Sequence, residues 1–118
     1  MSNINKFRGE APIVLDRERK LKITMDSLCR AEKVYDISLI DWQPFKSLST
    51  RAAWIYAGLL GEMPSLTKDW VSSQLDVAIR ERRFAKIDDA ILEAYKAAYL
   101  PEVEKEETPE LPPEAKNV

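Results

Sequence analysis

The stretch KLKITMDSLCRAEKVYDISLIDW, residues 20–42, decides the fold. It opens with Leu21 and Ile23 alternating with Lys20, Lys22 and Thr24, the period of a strand with one face buried. After Ile23 the spacing lengthens, and Met25, Leu28, Cys29 and Glu32 fall on one face of a helix. Thr24 stands where a hydroxyl can accept from an otherwise unpaired N–H of the first turn, and Ile23 can staple against Leu28. A strand therefore hands its apolar register directly to a helix. Upstream, the run Ile13-Val14-Leu15 followed by the charged DRERK predicts a first strand and a turn, making a β-hairpin.

The strand-to-helix device recurs. Leu66, Thr67 and Val71 have staple, cap and staple spacing and predict a helix running to about Arg82, with Val71, Leu75, Ala78 and Ile79 inward. Ile87, Asp88 and Leu92 repeat the spacing and predict a last helix capped by Asp88, carrying Ile91, Leu92, Tyr95 and Tyr99 on one side. Between them, Ala52, Ile55, Tyr56, Leu59, Leu60 and Met63 predict a helix over 49–62, ended by Gly61 and Pro64. Pro44 limits SLIDWQPF to a short turn of helix at most. The expectation is a mainly α (α+β) fold: one domain over residues 1–100, with an N-terminal β-hairpin packed on a small bundle of three to four helices.

From Pro101 the composition changes. PEVEKEETPELPPEAKNV holds four prolines, six Glu and two Lys, too little apolar surface to offset ordering costs of ~1 to 2 kcal/mol per residue. Residues 101–118 are expected to be a disordered acidic tail.

The 118 residues carry 18 Lys plus Arg against 20 Asp plus Glu, so no overall field attracts nucleic acid or an anionic membrane. There is no histidine and a single cysteine, Cys29, so the commonest general base and any intrachain disulfide are missing. Cys29 reads as a core residue on the inward face of the first helix. No apolar run approaches the ~20 residues of a membrane span, and the N-terminus lacks the apolar segment of a signal peptide. An intracellular, reducing setting follows.

Candidate chemistry is thin. Asp88 and Asp89 are neighbours on a helix and point about 100° apart, so a cap and a first-turn acid account for them. The basic stretches RERK (17–20) and RERRFAK (80–86) are interleaved with Glu, which disfavours a nucleic-acid stripe. With Gly9, Gly58 and Gly61 as its three glycines, the chain has no phosphate loop. No catalytic, cofactor-binding or metal-ligating residues are assigned, and no cofactor is expected. What remains is aromatic equipment: Trp42, Phe45 and Trp54, with Leu39 beside them, are the candidate partner-binding residues, where the irregular segment meets the central helix.

Read in order, FRGEAPIVLD (7–16), KLKITMDSLCRAEKVYDISL (20–39) and AAWIYAGLLGEMPSLTKDWVSSQLD (52–76) resemble the tail assembly chaperones of long-tailed bacteriophages, in the branch that includes a small protein of gene transfer agents. The likeness lies in Arg8-Gly9-Glu10 leading into a strand, in Leu28 and Glu32 followed by Ser38-Leu39, and in a break before a Leu66-Thr67 helix start. Where that family often has Asp-Gly at the hairpin turn, this chain has DRERK, and its break carries Pro64.

The resemblance implies a non-enzymatic protein that binds the long, helix-rich tape measure protein in many copies and keeps it soluble. It also implies recruitment of tail tube protein, in some relatives through a frameshifted extension, and departure before the virion is complete. The setting would be the cytoplasm of the infected host, and homo-oligomers are compatible with the role. The alternatives from residue chemistry are a small adaptor or antagonist of a host protein and, more remotely, a nucleic-acid-binding regulator.

Overall fold

In the computed structural model, which describes residues 10–41 and 43–100, the two strands are β1 (Glu10–Val14) and β2 (Glu18–Lys22), paired antiparallel. The register sets Ala11 opposite Leu21 and Ile13 opposite Arg19, so these four side chains share the buried face. The turn is shorter than DRERK suggests. It is Leu15–Arg17, and Glu18, Arg19 and Lys20 belong to the strand. The period-two pattern of Leu21 and Ile23 extends back to Arg19, whose stem lies inside while its guanidinium meets acids. Arg19 Nε and Nη2 donate to the two carboxylate oxygens of Asp16 at 2.8 Å each, and Nη1 donates to Glu62 Oε2 at 2.8 Å. The group also lies 5.5 Å from the Trp70 ring centroid, so one arginine joins the hairpin turn to the two segments beneath it.

Helix α1 (Met25–Tyr35) starts as its sequence predicts. Thr24 accepts from the Ser27 N–H, and Ser27 Oγ accepts from the Thr24 N–H, each at 3.0 Å. It ends on Asp36, at φ 55°, with the Ile37 N–H reaching back to the Glu32 carbonyl at 3.3 Å. The buried side of α1 is narrower than its apolar spacing suggests. Ser27, Leu28 and Ala31 are buried, whereas Met25 and Cys29 are exposed. The expected core cysteine is thus a surface one, because α1 lies on α2 through the 28 and 31 positions and Cys29 is turned about 100° from Leu28.

Helix α2 (Leu48–Leu59) is capped by Ser47, which accepts from the Thr50 N–H, and all eight residues from Ala52 to Leu59 are buried. A helix apolar all round is one surrounded on every side, and α2 contacts β2, α1 and both later helices. Its small residues let neighbours approach. At Gly58 an added Cβ would stand 2.7 Å from Leu21 Cδ2 and 3.3 Å from the Leu21 Cα, so the hairpin rests directly on the helix there.

Helix α3 (Lys68–Arg80) is capped by Thr67, which accepts from the Trp70 N–H at 3.1 Å. Val71, Leu75 and Ala78 face inward; Ile79, expected with them, is 45 % exposed because it lies a quarter turn past Ala78. The α3–α4 corner is a Schellman turn: the Arg83 N–H bonds the Ala78 carbonyl at 2.8 Å, the Arg82 N–H bonds that of Ile79 at 3.1 Å, and Arg82 takes φ 60°.

Helix α4 (Phe84–Tyr99) begins one turn earlier than a cap at Asp88 requires, with no side-chain cap at Arg83. Asp88 is instead a helix-interior residue receiving Arg51 Nε at 2.7 Å and Nη2 at 3.1 Å, and the Arg51 guanidinium lies 4.7 Å from the Phe84 ring centroid. A long-range ion pair outweighs the local cap because the tight turn before Phe84 already closes the helix start. Ile87, Ala90, Ile91, Ala94 and Ala97 are buried. The whole is the expected mainly α fold, a β-hairpin on four helices. Among the described residues no helix is long and apolar enough to cross a membrane. The segment 101–118, expected to be a disordered tail, lies outside the described residues.

Candidate partner-binding groove

The outer face of α1 and the segment after it build a hollow against α2 and α4. Its volume is about 550 Å³, within the range of sites that bury a substantial ligand group. Leu28, Leu39 and Trp54 form a buried floor. Met25, Ile40 and Tyr99 stand at its edge, 65 %, 86 % and 40 % exposed. Tyr95 bridges floor and rim: its ring meets Trp54 edge-on at 6.2 Å and Tyr99 at 5.6 Å. Cys29, exposed, lies along the same wall. Burial, with Tyr95 and Cys29 beside it, pushes the Tyr99 hydroxyl above its ordinary pKa.

One hydrogen bond sets the shape. Glu32 Oε2 accepts from the Leu39 N–H at 2.6 Å, a charge-assisted bond that pins the loop to α1 and turns Leu39 into the floor and Ile40 outward. Leu28 and Glu32 of α1 thus meet Ser38 and Leu39 of the following segment in one local structure.

Of the four residues proposed from sequence, Leu39 and Trp54 line this groove. Phe45 lies elsewhere, 39 % exposed with the Arg51 guanidinium 5.5 Å from its ring centroid, and Trp42 lies outside the described residues. The reading from aromatic density misses Met25, Cys29, Ile40, Tyr95 and Tyr99. For Met25, Cys29, Tyr95 and Tyr99 the signal is present in the apolar spacing of α1 and α4; Ile40, in the segment after α1, has no such periodicity to mark it.

Among the described residues no group of three or more His, Cys, Asp or Glu is placed to hold a metal ion. The basic stretches are drawn into ion pairs. Arg80 meets Asp76 at 3.1 Å, and Arg83 meets Glu81 at 3.0 Å while donating to the Val14 carbonyl at 2.7 Å. A second hollow, about 360 Å³ between α1, α2 and α3, has a mixed lining that includes Lys68, Asp76, Ser49 and Ser72. No family model, curated protein or solved structure matches the chain.

Proposed function

We propose that this chain is a non-enzymatic assembly chaperone that takes apolar anchors of a helical client into the Met25–Tyr99 groove, the client being the tape measure protein of a long-tailed phage. The observation that supports the reading is the groove itself: a floor of Leu28, Leu39 and Trp54, flexible Met25 at its edge and Ile40 left largely uncovered. Such a surface suits an amphipathic helix, which presents anchors at i, i+3, i+4 and i+7 to a hydrophobic trough. Methionine adapts its shape to varied partners, as a protein escorting a long chain with many different segments requires. The choice of client rests on the resemblance that the order of motifs over residues 7–76 bears to the tail assembly chaperones. Recruitment of tail tube protein, work in the host cytoplasm and departure before virion completion belong to the same proposal.

The test is co-expression with the long helix-rich protein encoded just downstream, scoring its soluble fraction and co-elution. The expected result is a soluble complex with several copies per client, lost when Met25→Glu places a charge on the groove edge without entering the core. Equal precipitation of the long protein with and without this chain would sink the reading and make the host-directed adaptor the better one.

A further inference from the structure

We infer that the segment preceding β1 folds back over this groove as an internal occupant, with Phe7 in the hollow, Lys6 at its acidic rim and Arg8 on Glu10. Residues 1–9 lie outside the described residues, but β1 sets where they leave the fold. The strand runs antiparallel to α4: Arg83, just before the helix, donates to the Val14 carbonyl at 2.7 Å, and Pro12 and Ile13 share a small hollow with Ile87 and Ala90. At ~3.3 Å per strand residue and ~1.5 Å per helix residue, the path back from Val14 to Phe7 and the path on from Arg83 to Tyr99 are each roughly 23–24 Å. An extended chain thus comes level with Tyr99 at Phe7. The opposite rim is near as well, since Glu10 pairs with Lys22, three residues before Met25. Strand parity puts Phe7 on the face of Ala11 and Ile13, 1 % and 3 % exposed, which is the face turned to the core.

Charge selects this occupant. Glu32, on the groove wall, bonds the neutral Leu39 N–H, and neither it nor Asp41, exposed beside Ile40, has an ion pair among the described residues. Arg30 and Lys96 are engaged by Asp26 and Glu93, at 3.0 and 3.7 Å, which leaves Lys33 of α1 against the two acids. Lys6 supplies the missing sign. The other segment that leaves beside the groove, after Leu100, carries six Glu and two Lys over residues 101–118, the wrong sign for this rim. Glu10 adds an independent mark, for its Oε1 is buried with no hydrogen-bond partner among the described residues. A buried carboxylate oxygen calls for a donor, and Arg8, two residues upstream, stands on the same side of an extended chain. An occupant of this kind covers the apolar hollow until a client displaces it.

The segment shares the proposed client site but needs no client, so its test uses the full chain alone and its failure leaves the chaperone reading standing. Cys29, the only cysteine and exposed on the groove wall, is the reporter. Phe7→Asp is expected to speed its reaction with a bulky maleimide at least about threefold over wild type, and Val103→Asp to leave the rate unchanged. Hydrogen exchange should show the Phe7 and Arg8 amides protected at least about tenfold, independently of protein concentration. That protection should be lost with Met25→Lys, which puts a cation on the rim at a residue 65 % exposed and so spares the core. If Phe7→Asp melts early, Met25→Lys decides. Equal Cys29 rates in wild type and Phe7→Asp, or unprotected amides at both residues, overturn the inference. So does a rate raised by Val103→Asp instead, which would assign the groove to the acidic segment, or protection found only at high concentration, which would assign it to a second copy.

Discussion

Arg82 occupies a backbone position that suits glycine. It is the residue after the α3 cap, at φ 60°, in a turn whose two closing hydrogen bonds come from main-chain atoms and would survive any side chain. A non-glycine residue in this region costs roughly 1–2 kcal/mol, part of which glycine returns through its freer unfolded state. Arg82 is exposed, so little packing is lost with its side chain. Arg82→Gly should therefore stabilise the fold by about 0.5–1 kcal/mol, read as a Tm raised by a few degrees. A lower Tm would show that the arginine contributes at the surface more than its backbone strain costs. Asp36, at φ 55°, holds the matching position after α1, but aspartate tolerates it better, so the gain there should be smaller.

At the scale of elements, the chain announces helix starts better than helix faces. Thr24 and Thr67 cap α1 and α3 as their spacing requires, since a cap is a local hydrogen bond written in a few neighbouring residues. Asp88 shows the limit: the same spacing sits inside α4 because Arg51, distant in sequence, claims its carboxylate. Faces depend on which neighbour arrives, so Cys29 and Ile79, both a quarter turn from a buried residue, end up outside. The seating of the hairpin on α2 is likewise invisible until Leu21 is found against Gly58. That contact yields a prediction in which two effects oppose. Gly58→Ala improves helix propensity by about 1 kcal/mol, but its methyl would lie 2.7 Å from Leu21 Cδ2 and 3.0 Å from Leu21 Cβ. A side-chain tip can rotate away, whereas Cβ and Cα move only with the strand. Overpacking of about 1–3 kcal/mol should win, lowering the urea midpoint. Because Leu21→Ala keeps Cβ and Cα, Gly58→Ala in that background should lose only the part of its cost owed to Cδ2 and remain destabilising.

For the molecule as a whole, the candidate groove was half legible. Leu39 and Trp54 could be named because apolar residues near an irregular segment are easily seen, while Tyr95 and Tyr99 join them only when α4 folds back beside α1. What keeps the hairpin on this assembly at its far end is the Asp16–Arg19–Glu62 cluster, and it gives the fold a defined acid response. The hydrogen bonds from Arg19 hold the Asp16 carboxyl below its ordinary value of 3.8, with burial opposing them. A carboxyl whose folded pKa is depressed contributes stability in full above its unfolded pKa and loses it as pH falls through the folded one. Wild type should therefore exceed Asp16→Asn by about 1 kcal/mol near neutrality, the upper end for a pair with one partner at the surface. The margin should begin to shrink as pH drops below about 4 and be gone once Asp16 is protonated in both states. Urea unfolding of the two proteins across that range measures it. A margin independent of pH would assign the loss to altered packing of the amide at the turn; a margin near zero throughout would mean that Arg19 is held chiefly by Glu62, and one that grows in acid would mean that the folded state raises the Asp16 pKa.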